Sequence, residues 1–382
     1  SSLATRSLIK RIAVIAGIIV LFLTSIQLLS TSFIYLSEGI IAVIIKATSN
    51  PIIGLFIGLL ATSILQSSST TTSIVIAAVA SGSLALENTI PIVIGANIGT
   101  TITSTIISMS YLNKTKEFKR AVAAGTVHDI FNILLVIMIF PLEIRYGFLS
   151  KSCQYLASLI HMQSGSVVEI NVQSSLLSEL VSTLGQATHP LILPIVAMVG
   201  IFGSVKLISN FLYKELIGKS KERFETIVFR TPIKSFSWGL ILTAIIQSSS
   251  ISTSLIVPIV ATRKVKLKTA FQFIIGANLG TTLTAIIAAT FKSEAAIALA
   301  FVHFLFNLIG VIIFLAVPGL RKLPVILAKK LGRVSMKYRF ASIVYILFTF
   351  FILPFTLIYL NGKFSEISQP PSKKTETIET KK

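Results

Sequence analysis

Gln66-Ser67-Ser68-Ser69 recurs as Gln247-Ser248-Ser249-Ser250, 181 residues later. Gly95-Ala96-Asn97-Ile98-Gly99-Thr100-Thr101 recurs at the same offset as Gly276-Ala277-Asn278-Leu279-Gly280-Thr281-Thr282. The flanks agree: Gly58-Leu59 matches Gly239-Leu240, Thr62 matches Thr243, and Thr72-Ser73 matches Thr253-Ser254. Further on, the His128 to Asn132 stretch resembles His303 to Asn307 at an offset of 175. Two motifs at one offset make the chain an internal duplication, with repeat cores at 38–141 and 219–318.

The duplication lies in a membrane. Hydrophobic residues make up 53% of 382 positions, mean hydropathy is +0.86, and charged residues are 13%, against about 25% in soluble domains. Apolar runs at 12–34, 121–141, 295–317 and 343–360 suit a hydrocarbon core of roughly 30 Å. The first run is long and lacks a small-residue cleavage site, unlike a signal peptide. The net charge of +20 sits in short loops, where it reports orientation rather than a nucleic-acid partner. Cys153 is the one cysteine; it predicts no internal disulfide and no metal site. No Walker A motif, dinucleotide loop or His-Glu-x-x-His occurs, so no cofactor and no ATPase drive are expected.

Loop charges orient the copies oppositely. Loop 81–90 has no basic residue, whereas its equivalent, 262–268, has Arg263, Lys264, Lys266 and Lys268. The next loops swap roles: 111–120 has Lys114, Lys116, Lys119 and Arg120, but 290–295 only Lys292 and Glu294. The expected fold is an all-α integral membrane protein of two inverted-topology repeats, each with a re-entrant helical hairpin and a broken transmembrane helix. An N-terminal segment with the first span (1–37) precedes repeat 1 (38–141). An extracytoplasmic connector (142–188) and a linking span (189–218) lead to repeat 2 (219–318). A basic loop with a last apolar span (319–360) and a disordered tail (361–382) follow. Both Gln-Ser-Ser-Ser segments are expected at hairpin tips, the first entered from outside and the second from inside.

Nine of the twelve residues 62–73 are Ser or Thr, a composition that suits a wet cavity or the protein interior and not lipid. Broken hairpins expose helix N-termini, which attract anions. They also expose carbonyls and hydroxyls, which hold hard cations such as sodium. The motifs contain no Lys or Arg, so bound sodium is expected to neutralise the anion. The candidate substrate and sodium site comprises Gln66, Ser67, Ser68, Ser69, Thr70, Asn97, Thr100 and Thr101 in one copy. In the other it comprises Gln247, Ser248, Ser249, Ser250, Asn278, Thr281 and Thr282. Thr62, Thr243, Asp129, Asn132 and Asn307 are further candidates. Asp129 is the one aspartate, and it is intramembrane, where acids are commonly functional; pairing with His128 is its structural alternative. The glycines of Gly-Ala-Asn-x-Gly-Thr-Thr allow unusual backbone angles at a helix break, or close helix packing as in Gly54-x-x-x-Gly58.

The paired motifs, with Phe118-Lys-Arg-Ala, Thr126-Val-His-Asp and Phe131-Asn132, resemble the type II sodium/phosphate cotransporter family over residues 50–320. That resemblance implies sodium-driven symport of inorganic phosphate through a plasma membrane, here a bacterial inner membrane, and no enzyme activity. It implies that both Gln-Ser-Ser-Ser hairpins bind phosphate and sodium. The animal pattern has an aspartate just before the stretch equivalent to Glu117-Phe-Lys-Arg120. Lys114 stands at or near it here, which argues against a third sodium and net charge movement of the animal kind. The chain is also expected to lack the soluble regulatory domain of some bacterial relatives. Another oxyanion such as sulfate, a passive anion channel, and a membrane enzyme with a Ser nucleophile are the alternatives.

Overall fold

The computed structural model describes residues 2–32, 38–163, 191–216, 227–290 and 292–367; they are helical, with no strand among them. Seven helical segments are long and apolar enough to cross a membrane, making this a multi-pass membrane protein: 9–32, 86–111, 115–146, 192–211, 267–289, 294–316 and 341–361. Helix α1 (Ser2–Ser32) precedes the first repeat, and α2 (Glu38–Thr48) opens it. Its core is α3 (Pro51–Leu65), α4 (Ser68–Ala80), α5 (Leu86–Gly99), α6 (Ile102–Ser108) and α7 (Thr115–Tyr146). Then come α8 (Phe148–Gln163) and α9 (Ile192–Leu216). The second repeat has α10 (Pro232–Ile246), α11 (Ser249–Ser254), α12 (Ile256–Ala261), α13 (Leu267–Gly280), α14 (Leu283–Ala289) and α15 (Glu294–Ala316). The chain continues into α16 (Pro318–Lys337), α17 (Ala341–Leu347), a π-helical turn at Phe348–Ile352, and α18 (Leu353–Ile367).

Each hairpin begins in the same way. Asn50 caps α3 by accepting from Ile52 N at 3.0 Å, and Thr231 caps α10 by accepting from Lys234 N at 3.3 Å. Pro51 and Pro232 follow at the first helical position, where the missing N–H costs nothing. Helix α3 has 15 residues and α4 has 13, lengths of roughly 20 Å at 1.5 Å per residue. Neither arm alone reaches across a ~30 Å core. The second arm differs between copies. Helix α4 is unbroken, whereas Pro258 in the second copy cannot donate to Ser254 O, and the arm divides into α11 and α12 at Leu255.

The glycines hold each hairpin against the next helix. A Cβ on Gly58 would lie 2.0 Å from Ile92 O, and one on Gly95 1.9 Å from Leu55 O. Their equivalents, Gly239 and Gly276, would meet Phe273 O and Phe236 O, each at 2.1 Å. Neither motif contains a positive-φ glycine, so the glycines serve close backbone approach, not unusual angles. The helix interruption falls instead at Thr100–Thr101 and Thr281–Thr282, within single spans. At the centre, Phe131 of α7 packs edge-on against Phe271 of α13 and Phe314 of α15, ring centroids 5.9 and 4.9 Å away.

The exits of the two hairpins lie by opposite ends of α7. Ala261 O, closing the second hairpin, accepts from Arg120 Nε at 2.6 Å near the start of α7. Glu87, just after the first, accepts from Gln154 Nε2 of α8 at 3.1 Å. Helix α8 is itself anchored to the end of α7, Leu149 N donating to Glu143 Oε2 at 2.6 Å. The stretch expected as connector is helical through Gln163, and the remainder, 164–188, lies outside the described residues. Helix α18 runs on to Ile367, so the expected tail begins as helix, and 368–382 lie outside the described residues.

Candidate functional site

Gln-Ser-Ser-Ser joins two helix ends. Gln66 and Gln247 adopt left-handed backbone conformations, φ 55° and 59°. Each closes its helix by donating its N–H to Thr62 O (2.7 Å) or Thr243 O (2.6 Å), an αL C-cap usually taken by glycine. The next residue opens the following helix: Ser67 Oγ accepts from Thr70 N at 3.2 Å and Ser248 Oγ from Ile251 N at 3.3 Å. A non-glycine residue in this conformation costs energy, and such strain gathers at functional sites. Free carbonyls of one helix therefore lie beside free N–H groups of the next, two chemistries suited to a cation and an anion.

The two tips meet reciprocally. Ser69 Oγ donates to Gln247 O at 3.3 Å, and its equivalent Ser250 Oγ donates to Gln66 O at 3.0 Å. Ser69 Oγ lies 3.3 Å from Thr281 Oγ1, and Ser250 Oγ lies 3.3 Å from Thr100 Oγ1. Each contact has its partner with the copies exchanged, the signature of a two-fold relation. Beside the tips is a cavity of about 220 Å³, lined by Gln66, Ser67, Thr70, Ser248 and Ser250 from the motifs. Thr103, Ile251 and Ser254 add to it, and α9 supplies Phe202, Lys206, Ser209 and Asn210. Several hydroxyls near the tips, those of Ser68, Thr72, Ser73, Thr243 and Ser252, are buried without a hydrogen-bond partner among the described residues. Unpaired oxygens of this kind are costly unless something is bound to them.

The motifs themselves hold no Lys or Arg, but Lys206 of α9 lines the cavity beside them. Its Nζ lies 5.5 Å from the Phe202 ring centroid, a cation–π contact at the cavity wall. The signal was present in the sequence, as a lysine inside an apolar span. The two glutamines also differ. Gln66 is exposed to the 220 Å³ cavity, whereas Gln247 borders a space of about 10 Å³ among apolar residues of α1 and α9.

The other candidates separate into groups. Thr101 and Thr282 hydroxyls donate to their own helices, at Ile98 O and Leu279 O, both 2.7 Å. Ser249 is buried, and Thr62 Oγ1 donates to Thr71 Oγ1 within the hairpin at 2.8 Å. The asparagines form a buried cluster outside the lining of that cavity. Asn278 Nδ2 donates to Asn132 Oδ1 (3.0 Å) and Asn307 Oδ1 (2.6 Å), and Asn307 Nδ2 donates to Asn97 Oδ1 (3.0 Å). Asn132 Nδ2 donates to Asn97 O at 2.7 Å. This network clasps α5, α7, α13 and α15 behind the tips. Asp129 is buried in α7, and its Oδ2 accepts from Thr105 Oγ1 (2.8 Å) and Tyr345 OH (3.2 Å). The expected alternative partner, His128, is not among its hydrogen bonds. Lys114 is exposed and pairs with Glu117 at 3.5 Å.

The Na+/Pi-cotransporter family model matches residues 21–160 and 201–338, one stretch over each half of this arrangement. The chain belongs to the Na+/Pi-cotransporter family. It is 29% identical over 429 residues to the sodium-dependent phosphate transport protein 2A of Ovis aries, covering 90% of this chain and 66% of that protein. With protein 2B of Bos taurus it is 31% identical over 413 residues, covering 82% and 59%. With protein 2B of Homo sapiens it is 28% identical over 452 residues, covering 92% and 65%. The chain thus spans two thirds or less of the length of these family members. No solved structure matches it.

Proposed function

We propose that the chain is a secondary active transporter that takes up inorganic phosphate with sodium, the two meeting at the paired hairpin tips. The reciprocal Ser69–Gln247 and Ser250–Gln66 contacts carry this reading. Around one cavity lie the C-terminus of α3 and the capped starts of α4 and α11, with carbonyls and hydroxyls suited to sodium and N–H groups suited to the oxyanion. Family membership and the relatives' names support the same substrate and ion. Lys206 adds one positive charge, short of a phosphate dianion, so sodium supplies the remainder. That shortfall couples the two ligands.

The repeats are inverted in this reading, and alternating access moves one against the other about the tips. The hairpin exits at opposite ends of α7 and the loop charges support inversion. A bacterial inner membrane is the proposed location. Proteoliposomes should accumulate phosphate under an inward sodium gradient and not under potassium. Equal uptake in both would refute the coupling, and uptake that dissipates without accumulation would indicate a channel. Stronger competition by sulfate than by unlabelled phosphate would reassign the anion.

A further inference from the structure

Three basic segments that are far apart in sequence meet in one cavity. The start of α7 brings Lys119 and Arg120, the turn after the second hairpin brings Arg263 and Lys266, and α16 brings Lys329 and Arg333. The cavity holds about 560 Å³, and none of the described residues that line it is a carboxylate. It is built rather than accidental. Arg120 is pinned to Ala261 O at 2.6 Å. Helix α16 lies so close to α7 that a Cβ on Gly332 would come within 2.3 Å of Lys119 O. Arg263 holds a left-handed backbone conformation, φ 66°, at the turn, a strained geometry for a non-glycine residue. Six cations around one cavity repel one another unless an anion sits among them.

We propose that this cavity binds the phosphate-bearing headgroup of an anionic phospholipid from the cytoplasmic leaflet, a site separate from the hairpin tips. Its cations offer forked and point-like donors to phosphate oxygens. Its remaining walls are apolar, Val260 and Leu267 among them, which suits an acyl chain and not a free ion. Helix α16 has the form of an interfacial helix. It buries Val325 and Ala328, exposes Lys330 and Lys337, and leaves Ile326 and Val334 exposed as well. The positive-inside rule assigns all three segments to the cytoplasmic side, where anionic lipid gathers and basic pockets between helices hold headgroups.

The test is native mass spectrometry of the full chain with phosphatidylglycerol, cardiolipin or phosphatidylcholine added. The anionic lipids should be retained at concentrations lower by about tenfold or more than the zwitterionic one. The double variant Lys329→Gln/Arg333→Gln should lose that preference, Lys329→Arg should keep it, and Lys151→Gln, beyond the far end of α7, should leave it unchanged. Size-exclusion profiles and melting temperatures verify folding; if the double variant fails there, Lys266→Gln replaces it. Equal retention of all three lipids, or preference persisting in a folded variant, would overturn the proposal. Displacement of bound lipid by millimolar inorganic phosphate would overturn it too, by assigning the cavity to a soluble anion.

Discussion

The two repeats share a backbone and divide their chemistry. Gly58, Gly95 and Gly99 press on Ile92, Leu55 and Leu59 carbonyls, as Gly239, Gly276 and Gly280 press on Phe273, Phe236 and Leu240. Both glutamines are left-handed and both first serines are caps. Side chains away from this frame diverge. Gln66 faces a cavity and Gln247 is hemmed in. Asp129 and Thr105 of the first repeat cluster with Tyr345 of α17, where the second repeat has Phe304 and Ile286. Ser104 of the first repeat pairs with Thr253 of the second at 3.1 Å. The reverse pair cannot form: the equivalent of Ser104 is Ala285, and the equivalent of Thr253 is Thr72, whose hydroxyl has no partner among the described residues. Duplication explains the common frame; the asymmetry marks where one copy has specialised.

The largest effect expected is all-or-none and concerns inversion itself. A cysteine at Ser83 should react with an impermeant thiol reagent from outside only, and one at the equivalent loop, Thr262, from inside only. Native Cys153 is buried and gives little background. Labelling of both from one face would make the copies parallel and break the comparison at its root.

Next in size are the glycines. Gly95→Ala and Gly276→Ala each drive a methyl into a backbone carbonyl. Backbone yields less than a side chain does, so each should cost at least the 1–3 kcal/mol of ordinary overpacking, on the order of the upper end. Thermal unfolding in detergent should give matching losses. A mild Gly276→Ala beside a severe Gly95→Ala would mean that the second hairpin packs differently.

These elements were legible in the sequence to different degrees. The duplication, the spans and the hairpin tips followed from spacing and hydropathy, because a buried frame constrains residue type at every turn. The glycines were visible, but their role was not: close approach and unusual dihedrals select the same residue, and only the neighbouring carbonyl separates them. The asparagine network joins residues from four helices, and no local pattern encodes such a meeting. Lys206 went unassigned because it lies outside the duplicated motifs, in α9, which belongs to neither repeat core. The basic loops were read as topology alone, since their convergence on one cavity depends on how α16 packs on α7.

The site asymmetry predicts unequal glutamines. Gln66→Ala should weaken phosphate binding at saturating sodium by roughly tenfold or more, the 1.5–3 kcal/mol of a hydrogen bond to a charged group. Gln247→Ala, away from the larger cavity, should weaken it less. Lys206→Gln should steepen the dependence of phosphate affinity on sodium, because more of the compensating charge must then come from the ion; linkage requires sodium affinity to respond equally to phosphate. Calorimetric titration at several sodium concentrations reads all three. Equal losses in the two glutamine variants would make the site symmetric, and an unchanged sodium dependence in Lys206→Gln would remove that lysine from it.

The smallest effect sharpens the comparison most. Ser104 and Thr253 form a buried hydroxyl pair across the repeats, and Ser104→Ala should cost about 1 kcal/mol by leaving Thr253 with only its intrahelical bond to Ser249 O. Ala285→Ser restores a hydroxyl at the position equivalent to Ser104; both it and Thr72 are buried, and if the repeat frame brings them together the change should return roughly 0.5–1.5 kcal/mol by satisfying an orphaned oxygen. If Thr72 is only a packing residue, that gain appears as a higher melting temperature with sodium-driven uptake unchanged. If its free hydroxyl serves sodium, the new bond competes with the ion, so the variant gains stability without sodium and loses part of sodium's stabilising effect. Melting Ala285→Ser and wild type with and without sodium separates the two. A stability gain of the same size in both conditions removes Thr72 from the ion site, and no gain in either shows that the frame shared by the repeats does not extend to this pair.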